Sequence, residues 1–214
     1  MQQVWSREVD LVPGQSALLF IDVQNYAVHR DGAEFKEHGD GDRFRYYLDR
    51  LETLALPNMT RLQAGFRAAG IEVLYTVIEN LTADGRDRSL DYKISGINVP
   101  KGSWDGEVHS SIRPGPDEIV IRKTSSSVFI STNIDYVLRN LGVRQLVIAG
   151  VVSDQCVESA VRDACDLGYL VTLVPDACAA YSAERQGASE RAIAGYCRQR
   201  DTETLLAELA GLTG

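Results

Sequence analysis

Apolar and polar residues follow one another along this chain in two patterns. Short apolar runs are typical of buried parallel strands, and apolar positions at helical spacing follow most of them. The predicted strands are residues 17–21, 71–78, 118–122, 146–149 and 169–174, with a weaker one at 196–200. The predicted helices are residues 48–69, 132–141, 156–167, 183–194 and 202–210. This alternation predicts a three-layer, doubly wound α/β fold, in which helices cover both faces of a parallel sheet.

One segment interrupts the alternation. Residues 79–116 are polar and rich in glycine, and a loop this long in a compact domain is usually either functional or part of an interface. Both interpretations stay open at this point. No internal repeat, low-complexity tract or linker divides the 214 residues, so we expect residues 1–214 to form a single domain.

The charge balance narrows the range of partners. The chain has 30 acidic and 22 basic residues, giving a formal net charge of −8, which argues against binding to nucleic acid or to an anionic membrane. No apolar run reaches the roughly 18 residues of a membrane span, and the N-terminus lacks the basic and apolar pattern of a secretory leader. We therefore expect a cytoplasmic protein with no nucleic-acid or membrane partner.

The cysteines and histidines show no metal-binding pattern. The four cysteines contain no C-x-x-C pair, and no zinc-type spacing links them to the three histidines, His29, His38 and His109. Free thiols in a reducing compartment are the simplest interpretation. We expect no metal site and no other cofactor.

The segment from Gly150 to Ala160 carries the most specific chemical signal. It begins after a short apolar run and ends in a helical pattern, so Cys156 is predicted at a strand-to-helix turn. The positive end of a helix dipole favours a thiolate over a thiol, and such a turn offers backbone N–H groups to an oxyanion. The alternative is a small cysteine packed in the core.

Three reactive side chains follow predicted strands. Asp22 follows the first strand, Lys123 the third and Cys156 the fourth, and ligands of parallel α/β sheets bind at these carboxyl ends. Taken singly, Asp22 is often a turn residue and Lys123 a solvated edge residue. Together they supply a nucleophile, a carboxylate that accepts its proton and an ammonium that stabilises negative charge. No histidine follows a strand, which disfavours a Cys–His protease arrangement.

Four sequence blocks resemble the isochorismatase-like cysteine hydrolase superfamily over nearly the whole chain. They are Asp22-x-Gln24-Asn25, Lys123 with Ser127-x-Phe129, Gly150-Val-Val-Ser-Asp-Gln-Cys156-Val, and Asp176-Ala-Cys178-Ala. The resemblance implies a six-stranded, mostly parallel sheet of order 3-2-1-4-5-6 and a catalytic triad of Asp22, Lys123 and Cys156. It also implies a cis peptide bond between Val151 and Val152, an oxyanion hole made by the N–H groups of Val152 and Cys156, and assembly as a homodimer or homotetramer.

The mechanism that the resemblance implies is acyl transfer through a thioester. Asp22 accepts the thiol proton while Cys156 attacks an amide or ureide carbonyl, and Asp22 returns the proton to the departing nitrogen. Water then cleaves the thioester with Asp22 again as base. Lys123 favours the charged forms of the other two groups.

Two features of the sequence narrow the branch of the family: the lack of a metal-binding histidine pair and the presence of Cys156. Nicotinamidases of this superfamily carry an Asp-x-His pair after the second strand, whereas this chain has Ile78-Glu79-Asn80-Leu81. Isochorismatases proper lack the cysteine, so Cys156 favours cleavage of a C–N bond over a vinyl ether. Lys101-Gly-Ser-Trp104-Asp105 and Cys156-Val-Glu-Ser159 are similar to the ureidoacrylate and biuret amidohydrolase branch. The stretches 79–91 and 151–155 depart from it, so the substrate stays open within small amides and ureido compounds.

Six residues are candidate substrate contacts because they follow the predicted strands or flank the blocks. They are Gln24, Asn25, Tyr26, Glu79, Trp104 and Phe129. Gln24 is equally well interpreted as a turn residue, and Trp104 as a residue that packs the 79–116 segment onto the core.

Three other functions compete with an amidohydrolase. One is a small-molecule-binding protein of the same fold that lacks activity, although the intact Asp22, Lys123 and Cys156 argue against it. The second is an isochorismatase-type ether hydrolase. The third is a thiol-redox protein, which is disfavoured because Cys165 lies nine residues along the helix from Cys156, more than two turns away.

Overall fold

The computed structural model describes residues 6–36 and 42–212; His38, considered above for metal spacing, lies outside the described residues. The strands are β1 Ser16–Ile21, β2 Glu72–Ile78, β3 Ile119–Lys123, β4 Gln145–Val151, β5 Leu170–Ala179 and β6 Arg198–Gln199. The α-helices are α1 Asn25–Val28, α2 Ala33–Lys36, α3 Arg45–Arg50, α4 Leu56–Ala68, α5 Leu90–Ile94, α6 Val128–Ser131, α7 Ile134–Asn140, α8 Glu158–Asp166, α9 Ala183–Ile193 and α10 Thr202–Leu212.

The strands form one sheet in the order β3-β2-β1-β4-β5-β6, and every paired neighbour runs parallel. This confirms the predicted α/β fold and its strand order. From β1, the strands β2 and β3 extend the sheet in one direction, and β4, β5 and β6 extend it in the other. The crevice beyond the carboxyl ends of β1 and β4 is therefore the switch point at which such sheets bind ligands.

Alternate residues of each strand enter one of two apolar layers. In β1, Leu18 and Phe20 pack into one layer, whereas Leu19 and Ile21 pack into the other, as the two-residue period of a strand requires. Helices α1–α4 and α10 cover the first layer, and α6–α9 cover the second. None of the helices described is long and apolar enough to cross a membrane.

The strand β5 is longer than the sequence pattern predicts. It continues through Pro175 to Ala179, and its pairing with β4 shifts register between Ile148 and Gly150. The shift accommodates the proline, which lacks a backbone N–H for the ladder. It keeps β5 paired with β4 as far as the turn that carries Cys156.

The segment 79–116 is more ordered than a loop. It contains α5 and two 3₁₀ turns, Trp104–Gly106 and Ser110–Ile112. The Ser89 hydroxyl caps α5 by accepting the Tyr92 N–H at 3.1 Å, and the Ser89 N–H donates to the Thr124 carbonyl at 2.9 Å. These two bonds fix α5 beside the end of β3, where the predicted site lies.

Candidate active site

Asp22 begins the site where β1 ends. Its φ of 53° is left-handed, a conformation that costs about 1–3 kcal/mol in a non-glycine residue and that aspartate tolerates better than most. Thr76 on the neighbouring β2 holds it in place. The Thr76 hydroxyl donates to Asp22 Oδ1 at 2.8 Å, and Thr76 Oγ1 accepts the Asp22 N–H at 3.1 Å. The carboxylate is therefore fixed with its other oxygen, Oδ2, directed at Lys123.

Lys123 is the last residue of β3 and is 1% exposed. Its Nζ lies 2.8 Å from Asp22 Oδ2 and 3.4 Å from the sulfur of Cys156. It also donates to the carbonyl oxygens of Ser125 at 2.8 Å and Ser126 at 3.1 Å. A buried ammonium needs such partners because removing it from water costs several kcal/mol. Lys123 thus joins the carboxylate and the thiol in one cluster.

Cys156 lies in a π-helical turn, Ser153–Val157, that connects β4 to α8. It is 6% exposed, and the peptide bond between Val151 and Val152, just before this turn, is cis. Gly150 allows the approach of β4 to β1, because a Cβ at this position would lie 2.2 Å from the Ile21 carbonyl oxygen. The close contact of these two strands brings the cysteine turn next to the end of β1.

The electrostatics of the cluster favour a thiol in the resting site. Burial raises the pKa of Cys156 to about 11, Lys123 lowers this pKa, and Asp22 raises it again. Burial would lower the pKa of Lys123, but the charges of Asp22 and Cys156 raise that pKa above its ordinary value. Desolvation therefore opposes the thiolate that a helix N-terminus favours. Ionisation of this thiol needs a proton acceptor.

Tyr92 joins the cluster although sequence reasoning missed it. Its hydroxyl oxygen lies 3.0 Å from Lys123 Nζ and 3.9 Å from the sulfur of Cys156, and the residue is 1% exposed. Burial raises the pKa of Tyr92 well above its ordinary value, so this hydroxyl stays neutral. A signal was available in the sequence, since Ser89 is a typical helix cap, but nothing local places this helix beside Lys123.

The cluster forms one wall of a cavity of about 510 Å³. Asp22, Tyr92 and Cys156 line it together with Val151 and Val152. Tyr26, one of the predicted substrate contacts, also lines it. Lys123 lies behind this wall, in contact with the cluster rather than with the open space. The volume suits a small molecule.

Gln24 and Asn25 do not line this cavity, and both have structural partners instead. The Gln24 amide donates to the carbonyl oxygens of Ile78 and Asp105, each at 2.9 Å, and its oxygen accepts the Ile78 N–H. The Asn25 amide donates to the Trp104 carbonyl at 2.9 Å. Gln24 therefore anchors the 104–106 turn to the end of β2, in agreement with its turn interpretation, and Asn25 anchors the same turn to α1.

Glu79 and Trp104 lie outside the cavity as well. Glu79 pairs with Arg122 at 2.9 Å, accepts the Gly102 N–H at 3.1 Å and lines a separate cavity at the edge of the sheet. Trp104 is 44% exposed and packs edge-on against His29. Glu79 is placed outside the cavity because the residue that follows Ile78 points to the other face of the sheet. For both residues a substrate contact stays a prediction.

Phe129 is likewise absent from the cavity lining. It packs against the apolar layer that contains Cys156, and its ring centroid lies 6.1 Å from that of Tyr169. Its role in this structure is to support the layer beneath α8. The side chain lies outside the cavity because it turns from α6 toward the core, and a substrate contact stays a prediction.

Within the described ranges 6–36 and 42–212, no group of three or more histidine, cysteine, aspartate or glutamate side chains is arranged to hold a metal ion. The four cysteines are free.

The parallel sheet and the buried carboxylate, ammonium and thiol define an α/β protein with a cysteine-centred candidate active site. The isochorismatase domain family model matches residues 16–203, and the chain belongs to this family. This confirms the resemblance drawn from the sequence blocks.

Curated relatives and solved structures agree with the family. Ureidoacrylate amidohydrolase RutB of Pseudomonas savastanoi pv. phaseolicola is 30% identical over 187 residues, covering 77% of this chain and 71% of the relative. RutB of Rhizobium rhizogenes is 29% identical over 185 residues, covering 79% and 72%. A cysteine hydrolase from Pseudomonas syringae pv. phaseolicola shares the fold with a TM-score of 0.82 at 22% identity, covering 96% and 97%. N-carbamoylsarcosine amidase from Thermoplasma acidophilum does so with a TM-score of 0.70 at 24% identity, covering 88% and 97%.

Proposed function

We propose that this chain is a metal-independent cysteine amidohydrolase that cleaves a C–N bond of a small amide or ureido compound. The observation that carries the proposal is the contact of Lys123 with both Asp22 and Cys156, two residues that line a cavity of about 510 Å³. Curated relatives that match most of the chain are named amidohydrolases, which supports the same type of reaction.

The first half of the reaction forms a thioester. Asp22 takes the thiol proton as the sulfur of Cys156 attacks the carbonyl carbon. The N–H groups of Val152 and Cys156 stabilise the negative charge that develops on the carbonyl oxygen. Asp22 then gives the proton to the departing nitrogen, the C–N bond breaks, and ammonia or an amine leaves.

The second half regenerates the enzyme. Asp22 accepts a proton from water, whose oxygen attacks the thioester carbon. The C–S bond breaks, the acid product leaves, and the proton returns to the sulfur of Cys156. Asp22 thus acts as base and acid in turn.

Lys123 acts in this proposal as a fixed positive charge. Its raised pKa keeps it protonated throughout, so it stabilises the thiolate as the proton moves to Asp22. The Tyr92 hydroxyl accepts a hydrogen bond from Lys123 Nζ at 3.0 Å and helps to keep the ammonium between the carboxylate and the sulfur. We assign Tyr92 as a positioning residue.

The competing functions have weaker support. A binding protein without activity has no need of a buried ammonium beside a buried thiol, an arrangement that costs stability. Cys165 does not serve as a redox partner for Cys156. Its sulfur donates to the Tyr196 carbonyl at 3.2 Å, and the residue lines another cavity. An ether hydrolase remains a second outcome of the experiment below.

The test is release of ammonia or amine from a panel of small compounds. Biuret, N-carbamoylsarcosine, ureidoacrylate, maleamate and nicotinamide, with isochorismate as the ether substrate, are incubated with wild type and Cys156→Ala, each with and without chelator. We expect chelator-insensitive release from a ureido or amide compound that disappears in the variant. Hydrolysis that survives Cys156→Ala, or that appears only with isochorismate, would contradict the proposal.

We also propose that the chain assembles as a homodimer or homotetramer in the cytoplasm. Free cysteines suit a reducing compartment. Leu90 and Ile94 on α5 are 74% and 77% exposed, and an exposed apolar pair of this kind is typical of an interface. Light scattering should give a mass of two or four chains, and Ile94→Glu should reduce it. A monomeric mass for both wild type and Ile94→Glu would rule out the proposed assembly.

A further inference from the structure

A second carboxylate, Glu34, faces the cavity that holds the catalytic cluster. It lies on α2, is half-buried and lines the cavity. Two tyrosines hold it, one on each oxygen. Tyr26 donates to Oε2 at 2.8 Å, and Tyr181 donates to Oε1 at 2.9 Å. Each oxygen keeps room for a further hydrogen bond.

The chain fixes this carboxylate from several directions. Gly32 allows α2 to pack against α1, because a Cβ there would lie 2.2 Å from the Asn25 carbonyl oxygen. The Ala33 N–H donates to Asp105 Oδ1 at 3.1 Å, and Phe35 is buried in the core. Glu34 therefore stands on a rigid support rather than on a free surface turn.

The other charges at the cavity are either paired or exposed. Asp22 is paired with Lys123, and Arg185 is paired with Asp154. The remaining two, Arg43 and Asp91, are exposed and of opposite sign, so solvent screens them.

Glu34 differs from all of these. Within the part of the chain that the structure describes, no lysine, arginine or histidine forms an ion pair with it, and its hydrogen bonds come from neutral hydroxyl groups. A half-buried carboxylate in this setting favours a ligand that brings N–H donors or positive charge.

We propose that Glu34 is a specificity-determining residue that binds the end of the substrate remote from the scissile carbonyl. That end carries N–H donors, either as a second ureido or amide group or as an ammonium, and not a carboxylate. The inference rests on the proposed function for the scissile bond, and it narrows the substrate class within small amides and ureido compounds.

The test measures binding in Cys156→Ala, so it does not depend on turnover. Three compounds differ mainly at the remote end: glycinamide with an ammonium, biuret with a second carbamoyl group, and N-carbamoylglycine with a carboxylate. Calorimetry in this variant should rank glycinamide and biuret above N-carbamoylglycine. Adding Glu34→Gln should weaken glycinamide on the order of tenfold, since a charge-assisted hydrogen bond is lost. It should leave N-carbamoylglycine equal or tighter.

Asp91→Asn is the matched control, because it removes the same charge from the exposed mouth of the same cavity. We expect it to leave glycinamide binding nearly unchanged. Equal weakening by Asp91→Asn and Glu34→Gln would reduce the effect to bulk charge and overturn the proposal. The proposal would also be overturned if N-carbamoylglycine bound more tightly than the other two compounds and Arg43→Gln abolished that binding. The ranking of the three compounds needs no change at Glu34, so it remains decisive if Glu34→Gln fails to fold.

Failure of this inference is separable from failure of the proposed function. If wild type hydrolyses a ureido acid and Cys156→Ala binds N-carbamoylglycine most tightly, the amidohydrolase function stands and the role of Glu34 is rejected. Selective binding of amines without any turnover supports Glu34 and rejects the reaction.

Discussion

Two adjacent residues of β3 each form an ion pair with a carboxylate, yet the two pairs differ in the burial of the cation and in the groups that surround it. Lys123 and Asp22 are both almost completely buried and lie 2.8 Å apart. Arg122 and Glu79 lie 2.9 Å apart, but the Arg122 side chain is 55% exposed. Consecutive strand residues point to opposite faces, so one pair meets a thiol in a cavity and the other meets solvent at the sheet edge. A charge pair becomes chemically useful here through burial beside a nucleophile.

The largest expected difference between the pairs is in stability and activity together. Lys123→Met leaves Asp22 buried without a cation, so we expect a loss of about 3–5 kcal/mol in the free energy of unfolding and loss of turnover. Arg122→Met also leaves a buried carboxylate, but Glu79 keeps the Gly102 N–H as a partner, so we expect a smaller loss of about 1–2 kcal/mol with turnover retained. Urea denaturation and product release measure both. Equal losses in the two variants would break the comparison.

The next difference separates proton transfer from thiol reactivity. Asp22→Asn should lower kcat/KM by about 100- to 10,000-fold, because the general base is lost. Asp22 raises the pKa of Cys156, which is about 11, so its neutralisation should lower that pKa. Alkylation of Cys156 by iodoacetamide should then rise at a lower pH than in wild type, even as hydrolysis fails.

Glu79→Gln is the matched control for this variant on the other pair. It should change neither kcat/KM nor the pH dependence of alkylation, since Glu79 lies outside the cavity. A shift of the alkylation profile to higher pH in Asp22→Asn would contradict the assigned electrostatics.

How far the sequence predicts these two pairs depends on the range of the contacts. The buried strands and Asp22, Lys123 and Cys156 follow from local apolar runs and from the rule that sites lie at strand ends. The local pattern does not show on which face of the sheet Glu79 lies. The register sets Ile78 beside Lys123, so the next side chain lies on the face of Arg122. That register is a tertiary property that no local pattern shows.

Residues that reach the site from outside the sheet were harder to predict. Tyr92 lies in the 79–116 segment, whose polar pattern gives no periodic signal, and it reaches Lys123 only because Ser89 binds the end of β3. Glu34 lies on a four-residue helix, too short for a hydrophobic pattern. Both positions depend on packing between segments distant in sequence.

The smallest expected effect sharpens the comparison through a pair of buried tyrosines. Tyr92 contacts Lys123 in the cluster, whereas Tyr75 donates to Glu118 at 2.8 Å away from it. Tyr92→Phe removes one hydrogen bond worth about 1 kcal/mol, so kcat should fall about fivefold with little change in KM. The pH profile of Cys156 alkylation should move as well. Tyr75→Phe should alter neither, and a shift in both variants would assign Tyr92 a merely structural role.

The most direct test of the account is the covalent intermediate on Cys156. Wild type is mixed with a hydrolysed ureido or amide substrate, quenched in acid within milliseconds, and measured as an intact protein by mass spectrometry. We predict a mass increase of the intact wild-type protein equal to the acyl group, formed before the acid product is released and absent in Cys156→Ala. Steady turnover with no adduct at any quench time, and with activity retained in Cys156→Ala, would contradict it.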